Sequence, residues 1–213
     1  MNKMAAPYLL FDLDGTLSDP LQGIARSINY ALGAFGYPTE PEADLARFIG
    51  PPLDKTFALL AGTGSEDHIR ELVTKFRERF GDIGYKENTL YPGIPPVLEQ
   101  LKERGVPMAV CTSKRADFAQ KIISMFDLDP YFEFVSGGDI GISKGQQIQG
   151  LVGQDRISRS SIMIGDRDVD IIAARENSLP ACGVLWGYGS REELESENPE
   201  YLVTTPDELE ALS

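Results

Sequence analysis

The apolar residues of this chain fall into short blocks that break off at polar positions. Tyr8-Leu9-Leu10-Phe11 stops at Asp12, Met108-Ala109-Val110-Cys111 stops at Thr112, and Phe132-Glu133-Phe134-Val135 stops at Ser136-Gly137-Gly138. Ile162-Met163-Ile164 stops at Gly165-Asp166, Gly183-Val184-Leu185-Trp186 stops at Gly187, and Tyr201-Leu202-Val203 precedes Thr204-Thr205-Pro206. Blocks this short, apolar on both faces and separated by helical periodicity, predict the buried parallel strands of an α/β fold. The expected core is a Rossmann-like parallel sheet with helices on both faces. Between the strands, Pro95-Pro96 opens a helix that carries Val97, Leu98 and Leu101 on one side and stops at Gly105. Two more helices are expected over residues 116–125 and 168–177.

Residues 16–85 break this rhythm, because they hold helical patterns and no convincing strand. Ile24, Ile28, Ala31, Leu32 and Phe35 recur at helical spacing, and Ile69, Leu72, Val73, Phe76 and Phe80 form an apolar stripe. Thr39-x-x-Glu42 has the form of a capping box, and Gly50-Pro51-Pro52 is a rigid interruption. The expected organisation is an α/β core domain of residues 1–15 and 86–213, with a small all-helical domain of residues 16–85 inserted after the first strand.

A length of 213 residues suits one domain with a sizeable insertion. The 20 Lys and Arg against 33 Asp and Glu give a net charge of −13, which repels phosphate backbones and anionic lipid surfaces. Nucleic-acid and membrane partners are therefore not expected, and no apolar run reaches the ~18 residues of a membrane span. Met1-Asn2-Lys3-Met4 leads into a strand-like run, not a long apolar segment, so a cytoplasmic monomer or homodimer is the default expectation. Cys111 and Cys182 lie inside apolar runs and read as buried reduced thiols. The lone His68 reads as a residue on a solvated helix face.

Ligands of open parallel sheets bind beyond the carboxyl ends of the strands. The polar residues predicted at those ends are Asp12 and Asp14, Thr112 and Ser113, and Asp166, with Asp170 one helical turn further on and Lys144 after the run that ends at Ser136. Carboxylates gathered together either gain protons or take up a cation. Oxygen donors without histidine or cysteine favour Mg2+. Such an ion beside a lysine and hydroxyl donors would draw in an anion, with phosphate the expected one.

Phe11-Asp12-Leu13-Asp14-Gly15-Thr16-Leu17, followed by Thr112, Lys144 and Gly165-Asp166-x-x-x-Asp170, resembles the haloacid dehalogenase-like superfamily of phosphohydrolases. The match spans nearly the whole chain, with the motifs in family order and a helical cap after the first strand. The branch it resembles most is that of phosphoglycolate phosphatase and related small-molecule and nucleotide monophosphatases. The resemblance implies a Mg2+-dependent phosphatase acting on a small phosphate ester. Asp12 would attack phosphorus, and Asp14 would protonate the leaving oxygen and then take a proton from water. The Asp14 carbonyl and the Asp12 and Asp166 carboxylates would hold the metal. Thr112 and the Ser113 N–H would bind the phosphoryl group, Lys144 would neutralise it, and Asp170 would orient the metal shell or Lys144. The family usually carries Lys-Pro where this chain has Lys144-Gly145, and Lys114 is the nearby cation that could substitute. Arg47 and Lys55, near the Arg47-Phe48-Ile49-Gly50-Pro51-Pro52-Leu53 segment, are candidate specificity residues, although surface charges on amphipathic helices look much the same. A sugar-phosphate mutase resembling β-phosphoglucomutase shares the nucleophile, and a non-catalytic phosphate-metabolite binder shares the fold. A dehalogenase needs neither the acid at Asp14 nor a metal.

Overall fold

The computed structural model of the chain describes residues 7–139 and 141–212, so the Met1–Met4 segment lies outside the described residues. In chain order the elements are β1 (Leu9–Phe11), β2 (Ser18–Asp19), α1 (Leu21–Ala34), α2 (Leu53–Leu60), α3 (Glu66–Asp82), β3 (Thr89–Leu90), α4 (Ile94–Glu103) and β4 (Met108–Arg115). There follow α5 (Ala116–Met125), β5 (Val135–Gly138), α6 (Lys144–Gly153), β6 (Ile162–Gly165), α7 (Asp168–Glu176), β7 (Ala181–Val184), α8 (Arg191–Ser196) and β8 (Tyr201–Val203). The chain divides into two compact units. One takes the described residues up to Asp19 and from Leu90 onward, and the other is Pro20–Thr89.

The first unit is built on a six-stranded sheet in the order β5-β4-β1-β6-β7-β8, with every pairing parallel. Leu9, Leu10 and Phe11 alternate across the pleat and are at most 3% exposed, so both faces of β1 are covered. Leu10, Ala109, Cys111 and Met163 on one face pack against Ile148 and Leu151 of α6 and Ile171 and Ala174 of α7. The connection from β1 leads toward β4 and that from β6 toward β7, in opposite directions across the sheet. A parallel sheet opens its ligand crevice where neighbouring connections diverge in this way. The ends of β1 and β6 therefore define the place where a site is expected.

Two strand blocks sit differently from their sequence patterns. The third begins at Val135 instead of Phe132, because its register pairs Val110 with Val135 and Thr112 with Gly137. β4 correspondingly runs on past Thr112 to Arg115. β7 is Ala181–Val184; the Leu185 N–H still donates to the Val203 carbonyl of β8 at 3.0 Å, and Trp186 lies beyond the strand.

The Pro20–Thr89 unit is helical, and it starts and ends four residues later than the expected 16–85. Thr16, Leu17 and Ser18 are fully buried in the sheet unit, where the backbone turns over Leu13: the Leu17 and Ser18 N–H groups donate to its carbonyl. At the other end, Glu87 belongs with the helices, accepting from Arg26 of α1 and Arg79 of α3. α1 packs on α3, with Ile24, Ile28, Ala31 and Leu32 buried on one side and Leu72, Val73, Phe76 and Phe80 on the other. Phe57 of α2 meets Phe76 edge-on and Phe76 stacks on Phe80. The Thr39-x-x-Glu42 capping box does not form. Residues Glu42–Phe48 make a 3₁₀ helix entered from Pro41, and the Glu42 carboxylate instead pairs with Arg26 at 2.9 Å. His68 is not on a solvated face either: its ring bonds Tyr37 Oη at 2.9 Å and Glu71 at 3.0 Å and lies edge-on to Phe35. Among the described residues no helix is long and apolar enough to cross a membrane.

Candidate active site

At the end of β1 the chain must turn sharply beneath Asp166, and Gly15 makes this possible. Its φ of +83° is a left-handed conformation, and a β-carbon there would overlap the Asp166 carboxylate. Gly187 is as tightly placed, since a β-carbon on it would strike Asp166 and the Gly15 carbonyl. The Trp186-Gly187-Tyr188-Gly189 segment can therefore lie directly on the acidic centre. Trp186 Nε1 donates to the Thr16 carbonyl at 2.9 Å, and the Tyr188 N–H donates to Asp166 Oδ2 at 2.8 Å. The Tyr188 hydroxyl donates to Asp19.

Asp12, Asp166 and Asp170 converge there, each buried and each offering a carboxylate oxygen within 4.8 Å of the others. Lys144 sits among them: its Nζ lies 2.9 Å from Asp12 Oδ2 and also bonds Asp170 Oδ1, with side-chain exposures of 3%, 8% and 1% for Lys144, Asp12 and Asp170. The remaining oxygens are positioned by backbone donors, since the Leu13 N–H binds Asp12 Oδ1 at 2.7 Å and the Arg167 N–H binds Asp170 Oδ2 at 3.1 Å. Arg167 is itself held by Glu193 of α8 at 2.7 Å. Asp14 stands apart from the cluster, paired with Lys114 at 2.8 Å. Thr112 is buried, its Oγ1 accepts the Lys114 N–H at 3.3 Å, and the Ser113 side chain is exposed. Arg47 and Lys55 belong to the helical unit, where both are exposed and Arg47 lies over the Phe48 ring.

Lys144, expected after the run that ends at Ser136, opens α6. Ser143 caps that helix and Gln146 reaches back to the cap, a Ser-x-x-Gln capping box that is visible in the sequence. The Lys144-Gly145 departure also has a local reason. A β-carbon at Gly145 would press on the Glu176 carboxylate, and the Gly145 carbonyl accepts from Asn177 at 3.0 Å. Gln147, on the same helix, ties the β4 and β5 ends together, donating to the Thr112 carbonyl and accepting from Ser136.

The electrostatics follow from burying several carboxylates around one ammonium. Burial first, and then Asp170 and Asp12, push Asp166 up to about 8. Burial pushes Asp170 up to about 6 against the pull of Lys144, and it also raises Asp14 against Lys114. Burial alone would lower Lys144, but Asp12 and Asp170 outweigh it and keep the ammonium above its ordinary value. Cys111, just before Thr112, is pushed up to about 12 by burial, so it offers no thiolate at neutral pH. One lysine cannot balance three buried carboxylates. The oxygen-only donor set, with Asp166 deprived of a cation partner, suits a hard divalent ion.

A pH dependence follows. Asp166 holds its proton up to about 8 in the folded chain, against ~3.9 for an unfolded aspartate. Between those values the folded state binds more protons, so metal-free stability should fall as pH rises from about 5 to about 8. A bound cation replaces the proton and should flatten that slope. Melting temperatures across this range in EDTA and in Mg2+ check it, and a metal-free protein that becomes more stable with rising pH would contradict it.

Comparison with known proteins is consistent with this geometry. The family model described as haloacid dehalogenase-like hydrolase matches residues 9–184. A 5'-nucleotidase of Pseudomonas aeruginosa is 39% identical over 91% of this chain and 89% of its own length. The tyrosine-protein kinase PtkA of Mycobacterium tuberculosis is 35% identical over 85% of this chain, which spans 62% of that longer protein. A phosphoglycolate phosphatase of Vibrio parahaemolyticus is 30% identical over 98% of this chain and 96% of its own. The crystal structure of a predicted phosphatase from Clostridium acetobutylicum superposes with a TM-score of 0.90 at 36% identity, covering 97% of both chains. With its parallel six-stranded sheet and the Asp12-to-Asp170 series at the strand ends, the chain belongs to the haloacid dehalogenase-like hydrolase family.

Proposed function

We propose that the protein is a Mg2+-dependent phosphatase that hydrolyses a small phosphomonoester, of the phosphoglycolate or nucleotide type, through an aspartyl-phosphate on Asp12. The observation that carries the reading is the meeting of Asp12, Asp166, Asp170 and Lys144 at the diverging ends of β1 and β6. The 5'-nucleotidase and phosphoglycolate phosphatase relatives support the substrate class.

Asp12 and Asp166, with the Asp14 carbonyl, would hold Mg2+. When bound, the ion supplies positive charge to the phosphoryl oxygens and to the crowded carboxylates. An Asp12 oxygen forms a bond to phosphorus while the ester P–O bond breaks, its electron pair passing to the leaving oxygen, which takes a proton from Asp14. Water then gives a proton to Asp14 and attacks phosphorus, and the Asp12–phosphorus bond breaks with its electron pair returning to the carboxylate. Thr112 and the Ser113 N–H bind phosphoryl oxygens. The Thr112 hydroxyl already accepts from the Lys114 N–H, which leaves its proton to donate. Lys144 neutralises charge spread over the transferring group, the electrostatic contribution that dominates phosphoryl transfer. Asp170, fixed by the Arg167 N–H, keeps the ammonium in place. The helical unit is proposed as a cap that selects the substrate, with Arg47 and Lys55 as candidate contacts.

The kinase relative favours one second reading, in which Asp12 chemistry delivers the phosphoryl group to an acceptor other than water. The destination of phosphate separates the two. Purified protein incubated with p-nitrophenyl phosphate and a panel of metabolite phosphates should release inorganic phosphate in Mg2+ and stop in EDTA. Turnover that persists in EDTA would refute the metal-dependent mechanism. Phosphate appearing only on a protein acceptor would favour the second reading.

A further inference from the structure

The two carboxylates of Asp12-Leu13-Asp14 keep different company. Lys144 lies on Asp12, whereas Asp14 Oδ2 is held by Lys114 Nζ at 2.8 Å, with side chains 8% and 13% exposed. The other oxygen of Asp14, Oδ1, is buried and has no hydrogen-bond partner. A buried polar atom left unpaired costs desolvation energy that nothing repays, so such atoms are uncommon and call for an explanation. The position of Lys114 follows from an irregularity in the strand. β4 extends past Thr112 to Arg115, but its register against β5 shifts between those two residues, and in this bulged stretch Ser113 is exposed while Lys114 turns in to reach Asp14.

We propose that Lys114 is a positioning residue for proton transfer: its ammonium grips Asp14 Oδ2, so that Oδ1 is the oxygen that hands the proton to the leaving group. The proposal rests on the phosphatase reading above. When the ester P–O bond breaks, its electron pair and the proton of Oδ1 go to the same leaving oxygen, and in the second displacement the same oxygen recovers a proton from water. Both transfers need one Asp14 oxygen aimed in one direction, and a carboxylate free to spin would divide its time between orientations. The substrate oxygen and then the water fill the hydrogen bond that Oδ1 lacks.

Leaving groups differ in their need for that proton. p-Nitrophenolate departs as a stable anion, whereas an alkoxide does not. The test compares kcat/KM, which reports the first displacement, for p-nitrophenyl phosphate and ethyl phosphate in the wild type, Lys114→Met and Lys114→Arg. General acid catalysis is worth ~10²–10⁴-fold, so Lys114→Met should lose at least about tenfold more on the ethyl ester than on the nitrophenyl ester. Lys114→Arg, which keeps a cation near Oδ2, should recover most of the difference. If Lys114→Met fails to fold, Lys114→Gln carries the comparison. Equal losses on both esters, or no loss on either, would overturn the positioning role while leaving the phosphatase reading intact. A wild type that releases phosphate from neither ester would overturn both.

Discussion

Asp12→Asn is expected to lower kcat/KM for p-nitrophenyl phosphate by roughly 10⁴–10⁶-fold, the scale of loss when one member of a catalytic set is removed. The substitution is nearly isosteric. The amide oxygen can still accept the Leu13 N–H that now binds Asp12 Oδ1 at 2.7 Å, and residue 12 stays anchored by its N–H to the Ile164 carbonyl at 2.9 Å. What disappears is the carboxylate able to bond phosphorus, together with a charge 2.9 Å from Lys144. The melting temperature should therefore change far less than the rate. Steady-state kinetics beside thermal unfolding check the prediction, and a variant that keeps wild-type turnover would remove Asp12 from the reaction.

Lys144→Met should have the largest effect on stability. The ammonium is nearly inaccessible and bonds two carboxylates that are just as deeply placed. Removing one partner of a buried charge cluster typically costs about 3–5 kcal/mol, because the charges left behind lose their compensation. In EDTA at pH 7.5 urea unfolding should show that loss. The loss should shrink toward pH 5, where Asp170, already pushed up to about 6, and Asp166, at about 8, carry protons more fully once the ammonium is gone. Pairing Lys144→Met with Asp170→Asn should restore part of the stability, since fewer charges then remain unbalanced. A Lys144→Met protein as stable as the wild type across this range would contradict the geometry.

Much of the sheet was legible because a parallel strand covered on both faces leaves an unmistakable mark, a few consecutive apolar residues ending at a polar one. The extents were less legible. Phe132 to Phe134 read as strand by composition, but the strand itself is Val135–Gly138, with the Glu133 N–H and the Phe134 carbonyl bonded to β4 just ahead of it. The Asp12 and Asp166 positions were readable as strand-end carboxylates. Their neighbourhood was not, because it depends on contacts between residues 22 to 170 apart in the chain: the Tyr188 N–H on Asp166, Trp186 on the Thr16 carbonyl, and Lys114 on Asp14. Periodicity carries no information about such pairings. Local signals did exist for two features. Ser143-x-x-Gln146 announces the α6 start that places Lys144, and Pro41 explains why Thr39 caps nothing.

The most direct test of the central claim is the stereochemical course at phosphorus. A phosphorothioate ester whose two non-bridging oxygens are 16O and 18O is turned over in 17O-labelled water, and the configuration of the released chiral thiophosphate is read. Attack by Asp12 followed by attack by water inverts the centre twice, so net retention is the result expected. Net inversion would mean that water reaches phosphorus in one displacement, with no bond to Asp12 ever formed.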